Sequence, residues 1–508
     1  MTSPATTISA HDLRRIRRRA AISLWAPRAT NVFVFAVLPA AWMAWNLHFP
    51  GLGWDFRVFY DASRHYLAGE SPYPGHTLAA LADKQQFVYP APMAALLVPL
   101  AVLPYQLALV IWLVASVAAY AVTLRLLGVR DRRCFGALFL LLPVQYSVRL
   151  GTLMPILMLL LAVLWRYRDR RVTAAVVAAV LAVSKLFLFP LLVWLVVTRR
   201  FRTAAIACAV SAGMCLLAWL PLGLSSIGTY ASLVHTLSAY EQTFSLSVTS
   251  LGLASGLSAG QAMLVATIIG LALIAWAAAA GRSDDFLAFR LALAASFVLT
   301  PIVWDHYYIL LVVPLALRWP RLSGVWFLAM WINLDTSEMT NAVPWIALAL
   351  LVMVVQLDLV PPLRRWASTH VHPRIGRILG VAAIATLLSA SAVFARISPG
   401  WGASLYSVTG DPSQNGAAFV QTRGADQLCF RIWTDGIATG PAVIALETRT
   451  GRRVVKALPT SVRRDGQALG CTALGPELRR TLIEQPQRYL VHLSARGNAV
   501  LAGVLGKP

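Results

Sequence analysis

Leu107-Ala108-Leu109-Val110-Ile111-Trp112-Leu113-Val114-Ala115-Ser116-Val117-Ala118-Ala119-Tyr120-Ala121-Val122-Thr123-Leu124 contains no charged residue. At about 1.5 Å of rise per helical residue it covers about 27 Å, most of a hydrocarbon core about 30 Å thick. Ile378 to Phe394 is a second run of this kind. Of 508 residues, 58% are hydrophobic and 13% charged, where a soluble domain carries roughly a quarter charged residues. These proportions exclude a soluble multidomain enzyme and a disordered chain, and they describe a polytopic α-helical membrane protein.

Lys and Arg number 44 against 21 Asp and Glu, a net charge of +23. On a soluble chain that excess would point to nucleic acid. Here the charges stand in short clusters between apolar runs: Arg14 to Arg19, Arg130 to Arg133, Arg166 to Arg171, Arg199 to Arg202 and Arg364 to Arg377. This is the positive-inside pattern, whose partners are membrane lipids and the membrane potential, and nucleic acid is set aside. With all five clusters in the cytoplasm, Arg133 to Arg166 and Arg171 to Arg199 each leave room for a pair of short helices. The pairs break near Arg149-Leu150-Gly151 and near Lys185. The other spans read as Thr30 to Leu47, Leu107 to Leu127, Thr203 to Leu222, Gln261 to Ala280, Phe286 to Ile302, Tyr307 to Leu317, Gly324 to Asn333, Trp345 to Leu357 and Ile378 to Phe394. That makes about thirteen helices, with the N-terminus inside and the C-terminus outside. The stretches assigned outside, Trp45 to Tyr89, Gly223 to Gly256 and the one holding Asp335 and Glu338, have no basic excess. The first apolar run lacks a small-residue cleavage site and reads as a retained helix of a plasma-membrane protein.

Residues 1–29 form a basic cytoplasmic N-terminus and 30–396 the membrane domain. From 397 to 508 no apolar run is long enough to span, and alternation appears at Cys429-Phe430-Arg431-Ile432-Trp433 and Tyr489-Leu490-Val491-His492-Leu493, with turns at Asp435-Gly436, Thr450-Gly451 and Asp465-Gly466. This predicts a small all-β domain outside the membrane. It holds Cys429 and Cys471; a lone pair in an oxidising compartment reads as a disulfide, since a metal site wants four ligands.

Ionisable groups inside or at the mouth of apolar segments are functional candidates. Arg149 and Lys185 lie midway between cytoplasmic clusters, so each belongs at the outer end of its helix pair. Asp305-His306, midway between Arg282 and Arg318, belongs there too, and Asp55 lies just beyond the first span. Cations with carboxylates at one depth suit transfer from a lipid-linked phosphate to a hydroxyl. Asp55 would take the hydroxyl proton, Arg149 and Lys185 would hold the leaving phosphate, and His306 or Tyr308 would add a hydrogen bond. The same residues have structural readings: Asp55 as a helix cap, Arg149 and Lys185 as snorkelling cations, Asp305-His306 as an internal contact. Trp54, Phe56 and Phe59 read as anchors at the membrane interface. No Walker loop, GxGxxG, HExxH or metal-ligand cluster occurs, so neither cofactor nor metal is expected.

Asp55-Phe56-Arg57-Val58-Phe59-Tyr60-Asp61-Ala62 with Gly69-Glu70-Ser71-Pro72-Tyr73, Phe87-Val88-Tyr89-Pro90-Ala91-Pro92, Lys185-Leu186-Phe187-Leu188-Phe189-Pro190 and Thr300-Pro301-Ile302-Val303-Trp304-Asp305-His306 together resemble glycosyltransferase family 87. The likeness spans roughly residues 30 to 395. It implies a GT-C fold, a polyprenyl-phosphate sugar donor, a glycolipid or polysaccharide acceptor in the cell envelope, an extracytoplasmic site, and inversion by single displacement. Asp55 matches the family's base, and His306 lies in the motif that supplies a second catalytic residue. Arg57, Tyr60, Tyr89, Asp305 and Tyr308, within or beside these motifs, are then substrate-binding candidates. Mannose is the expected sugar, with arabinofuranose the alternative. The family's Gly-Gln-Xaa-Asn element reads here Gly151-Thr152-Leu153-Met154, without the amides, and Tyr240 to Leu246 resembles the acceptor-side loop only loosely.

The C-terminal region resembles a chordin-type (CHRD) β domain through Gly410-Asp411, Cys429, Asp435-Gly436-Ile437, Cys471, Leu482-Ile483, Pro486, Tyr489 and Gly503-Val504-Leu505. It departs from that pattern between Ile437 and Ile444, where no His occurs. From a different class, a lipid-linked sugar transporter or flippase would need polar groups near the midplane and an internal repeat. No repeat is present, and the midplane portions of the helices read as nearly free of charge.

Overall fold

The computed structural model of the protein describes residues 29–48, 51–73, 81, 86–241, 245–254, 257–324, 326, 400–423, 426–463 and 466–506. The Arg14 and Arg364 clusters and the spans expected at Trp345 to Leu357 and Ile378 to Phe394 lie outside these residues, as does all but Gly324 and Trp326 of the span expected at Gly324 to Asn333.

The helical part begins with α1 (Leu38–Leu47), entered through a π-helical turn at Phe33–Val37, and α2 (Trp54–Leu67). Then come α3 (Ala91–Ala101), α4 (Tyr105–Leu126), α5 (Arg132–Phe139), α6 (Leu142–Leu150) and α7 (Met154–Arg166). α8 (Arg171–Ser184), a 3₁₀ turn at Leu186–Leu188, α9 (Pro190–Val197) and α10 (Phe201–Trp219) follow. α11 (Ser226–Glu241), α12 (Val248–Ala254), α13 (Ala259–Ala280), α14 (Asp285–Leu299), a 3₁₀ segment at Asp305–Leu311 and α15 (Val312–Arg318) come next. Pro92, Pro143, Pro155 and Pro190 occupy first turns, where the missing N–H leaves no hydrogen bond unmade.

Among the described residues, four helices are long and apolar enough to cross a membrane: Ala29–Leu47, α4, α10 and α13. α6 and α7, bent by 115° at their break, make a fifth if the pair is one broken span. α8 ends at Lys185 and α6 at Gly151, the two breaks expected from sequence. Elsewhere the structure differs. The expected span Tyr307 to Leu317 is 3₁₀ up to Leu311 and α-helical only from Val312. α3 went unforeseen because Pro92 and Pro99 punctuate its run. The Gly223 to Gly256 loop contains α11 and α12; α11 is too polar to read as a span, yet it buries Tyr230 and Leu233 at helical spacing. Arg290, in the second turn of α14, is fully buried with its guanidinium 4.6 Å from the Phe286 ring, a buried charge not singled out from sequence.

Two basic clusters meet at one end of the helices. Asp285, in the first turn of α14, accepts from Arg168 Nε (2.8 Å), from both terminal nitrogens of Arg200 (3.1 and 2.9 Å) and from Trp194 Nε1 (3.0 Å). Arg200 also reaches Asp169 at 2.9 Å. Asp131 caps α5 and accepts from Leu322 N (3.0 Å); its contact with Arg133 holds its carboxyl down at about 2. From the Asp285 end, α7, α8 and α14 each run about 20 Å, to Leu153, Lys185 and Thr300 respectively. The helix breaks therefore gather at the opposite end.

The C-terminal residues form one eight-stranded antiparallel sheet in the order β5-β4-β7-β8-β1-β2-β3-β6. The strands are β1 (Gly400–Ser407), β2 (Asn415–Arg423), β3 (Gln427–Asp435), β4 (Gly440–Thr448), β5 (Val454–Val462), β6 (Gln467–Ala473), β7 (Tyr489–Ala495) and β8 (Asn498–Val504), with α16 (Pro476–Glu484) between β6 and β7. The edge strands β5 and β6 approach each other, and Thr460 Oγ1 donates to Leu469 O at 2.8 Å, so the sheet curls into a barrel. Alternate residues such as Leu428, Phe430 and Ile432 face an apolar interior that Leu482 of α16 also enters. That core shares no residue with the core of the helices. Cys429 and Cys471 are directly opposed on β3 and β6 and are joined as a disulfide.

Candidate active site

The geometry starts at α2. Gly53 caps it in the left-handed conformation (φ 70°), and Asp55 follows in the first turn, where the helix dipole favours a carboxylate. Phe56, Phe59, Tyr60 and Ser63 form the buried face at spacing i, i+3, i+4, i+7. Phe56 and Phe59 are each 1% exposed and belong to the protein core, which corrects their reading as interface anchors; Trp54, 42% exposed, faces outward. Sequence could not separate these roles, because an aromatic residue suits both settings.

α2 is locked to the α6–α7 break. Gly53 N donates to Arg149 O (2.7 Å), and Trp112 Nε1 donates to Gly151 O (2.8 Å). The Phe56 ring stacks on Trp112 with centroids 5.5 Å apart. Gly151 has φ 70°, and a Cβ there would lie 2.8 Å from Phe56 Cβ. Only glycine lets the break pack this closely against the Asp55 turn.

Lys185 stands at the α8 break inside an aromatic cage. Its Nζ lies 4.4 Å from the Tyr89 ring centroid and 4.2 Å from that of Tyr307, and it donates to the Tyr307 hydroxyl. Phe187 stacks on Tyr307, 5.2 Å away and nearly parallel. Asp55 is near enough for its charge to act on Lys185, Tyr89 and Tyr307. Three segments far apart in sequence, at Asp55, Tyr89 and Lys185, thus converge with the 3₁₀ segment.

That segment also presents Asp305 and His306. Asp305 Oδ1 accepts from the His306 backbone N–H (2.6 Å) and lies 3.1 Å from His306 Nδ1. α6, which carries Arg149, packs against this segment. The Arg149 guanidinium lies 4.7 Å from the Tyr146 ring, and its Nε is buried without a hydrogen-bond partner among the described residues. Other candidates are engaged in packing. Tyr60 donates to Leu103 O (2.7 Å), Tyr308 donates to Leu246 O (3.0 Å), and the exposed Arg57 lies 3.9 Å over the Tyr105 ring.

Two residues were missed from sequence. Tyr307 is the member of the Tyr307-Tyr308 pair that meets Lys185, a choice made by the 3₁₀ winding. Glu241, 2% exposed, ends α11 and acts electrostatically on Tyr307. The residues after it are stitched to the 3₁₀ entry: Leu246 N donates to Val303 O (2.8 Å), Val303 N to Ser245 Oγ (2.7 Å) and Ser247 Oγ to Pro301 O (2.8 Å). The lone charged residue between Gly223 and Gly256 was the available signal. Among the described residues no cluster of His, Cys, Asp or Glu could hold a metal.

A carboxylate within electrostatic range of a caged cation, at the end of the helix bundle away from the Asp285 ion network, is an arrangement suited to group transfer. No curated protein and no solved structure matches the chain. The family model Glycosyltransferase family 87 matches residues 87–314, which include Tyr89, Arg149, Lys185, Glu241 and Asp305 to Tyr308 and begin beyond Asp55. With the apolar helices, this match over residues 87–314 supports glycosyltransferase family 87, a family of membrane glycosyltransferases, as the family of the chain.

Proposed function

We propose that the protein transfers mannose from a polyprenyl-phosphate donor to a hydroxyl of an envelope glycolipid or polysaccharide, at the outer face of the plasma membrane. In this reading residues 30–396 are the transferase and 397–508 an extracytoplasmic β domain. Asp55 removes the acceptor hydroxyl proton as that oxygen attacks the anomeric carbon. The bond from that carbon to the phosphate oxygen breaks, and the electron pair leaves with the phosphate. Lys185 and Arg149 stabilise the charge that develops there, and His306, held by Asp305, supplies a further hydrogen bond. A single displacement inverts the anomeric configuration.

The observation that carries the reading is the convergence of Asp55 with the caged Lys185: a base and a cation at one site are what this displacement needs. The test supplies purified protein with radiolabelled polyprenyl-phosphate mannose and, separately, the arabinofuranose donor, over a panel of envelope glycolipids. Labelled mannosyl product is expected. Product from the arabinose donor alone would replace the sugar, and none from either would overturn the lipid-linked donor.

A further inference from the structure

The β barrel has two unlike ends. The chain enters β1 at Gly400, and the strand pairings Gly402↔Gly506, Val504↔Leu490 and Tyr489↔Thr448 place the β4–β5 hairpin at that same end. The hairpin carries Arg449, Arg452 and Arg453, and Arg449 N donates to Arg488 O (2.7 Å), which adds a fourth exposed guanidinium to the corner. Beside them Val454 and Val504 are exposed, as is Ile483 on α16, which crosses this end between β6 and β7. Carboxylates are present but dispersed. Glu447 Oε1 lies 3.4 Å from His492 Nδ1, Glu477 and Glu484 are on α16, and Asp426 starts β3 from across the end. At the far end, Arg463 and Arg496 are balanced by Asp411 and Asp435.

We propose that the Arg449–Arg452–Arg453–Arg488 corner is a docking surface for the anionic headgroups of the membrane into which the chain is anchored. The proposal rests on the reading of Ile378 to Phe394 as a membrane span, and it is independent of the transfer reaction. Between Phe394 and Gly400 stand five residues, which reach no more than about 20 Å when extended. The entry end of the barrel is therefore the end held against the lipid surface. Guanidinium groups bind phosphate by paired hydrogen bonds, and exposed Val and Ile side chains beside them suit the boundary between headgroup and acyl chain. Docked in this way, the barrel is tethered at two places, the linker and the corner, and its orientation over the membrane is fixed.

The test uses the full-length protein in nanodiscs, either wholly zwitterionic or containing anionic phospholipid, with amide hydrogen exchange followed over residues 448–455. Anionic discs should slow exchange by at least about fivefold, the factor one Arg supplies near an anionic surface. Salt should reverse the effect. Combining Arg449→Gln, Arg453→Gln and Arg488→Gln with Arg452→Asn, which suits the positive φ of that position, should abolish the slowing. Arg463→Gln with Arg496→Gln at the far end should preserve it. Equal exchange of the unmodified protein in both discs overturns the proposal, whatever the variants do. Equal slowing in the four-site variant overturns it as well.

Discussion

Lys185 donates a hydrogen bond to the hydroxyl of Tyr307, 122 residues further along the chain, and its ammonium lies 4.2 Å from that ring's centroid. The pair joins the α8 break to the 3₁₀ segment after α14, and the Tyr89 ring lies 4.4 Å from the same cation. Lys185→Gln should lower kcat/KM for the donor by about 30- to 1000-fold, the effect of a preorganised donor at developing charge. Arg149→Gln should act in the same direction, with acceptor KM little changed in both. Tyr307→Phe keeps the ring and removes one hydrogen bond, so a loss of roughly three- to tenfold is expected. Donor kinetics of the purified variants check the order; normal donor use in both cation variants would make Arg149 and Lys185 snorkelling residues.

Asp55→Asn should leave the protein folded and inserted while lowering the rate by about 10² to 10⁴, because Asn keeps the shape of Asp but cannot take the proton. Asp61, exposed on the same helix, is the internal control, and Asp61→Asn should retain most activity. Gly53, not Asp55, caps α2, so a purely structural Asp55 would serve only the helix dipole from the first turn, and that role predicts an active Asn variant. Initial rates at matched amounts of monodisperse protein separate the two.

Gly151→Ala should impair transfer although Gly151 carries no reactive group. The added Cβ meets Phe56 at 2.8 Å and the backbone is held at φ 70°, so the α2 turn bearing Asp55 must shift. The left-handed conformation alone costs a non-glycine residue about 1 kcal/mol. The expected signature is a lower kcat and a lower melting temperature together; an unchanged enzyme would mean that the break tolerates the shift.

The Cys429–Cys471 bond should be found by mass spectrometry of non-reduced peptides, and replacing both residues with Ser should destabilise the barrel by about 2 to 5 kcal/mol. Thermal unfolding followed at Trp401 and Trp433 would report the loss. Free thiols at both positions in extracted membranes would refute the pairing.

A reporter active only outside the cytoplasm should be active when fused after Pro508 or inserted near Pro74, and silent when placed near Arg168. Silence at the C-terminus would reverse the odd number of crossings and, with it, the outer location of the site.

Much of the organisation is written locally in the chain. Apolar runs about as long as a hydrocarbon core is thick declare α4 and α13, because burying unpaired backbone in lipid forces a helix there whatever surrounds it. The breaks at Gly151 and Lys185 were legible as polar or glycine interruptions between Arg clusters, and the β domain as period-two alternation between Gly-rich turns. Asp55, Lys185 and His306 stood out because charge is costly beside apolar runs. Tertiary structure decided what local pattern leaves open. Phe56 and Phe59 are core residues because Trp112 and the Gly151 break occupy the space that lipid would otherwise fill. Tyr307 faces Lys185 and Tyr308 bonds Leu246 because a 3₁₀ segment winds differently from the α-helix its composition suggested. Glu241 joined the site because hydrogen bonds between residues 245–247 and residues 301–303 fasten its chain there. Contacts between segments a hundred residues apart depend on packing and on hydrogen bonds that no sequence window contains.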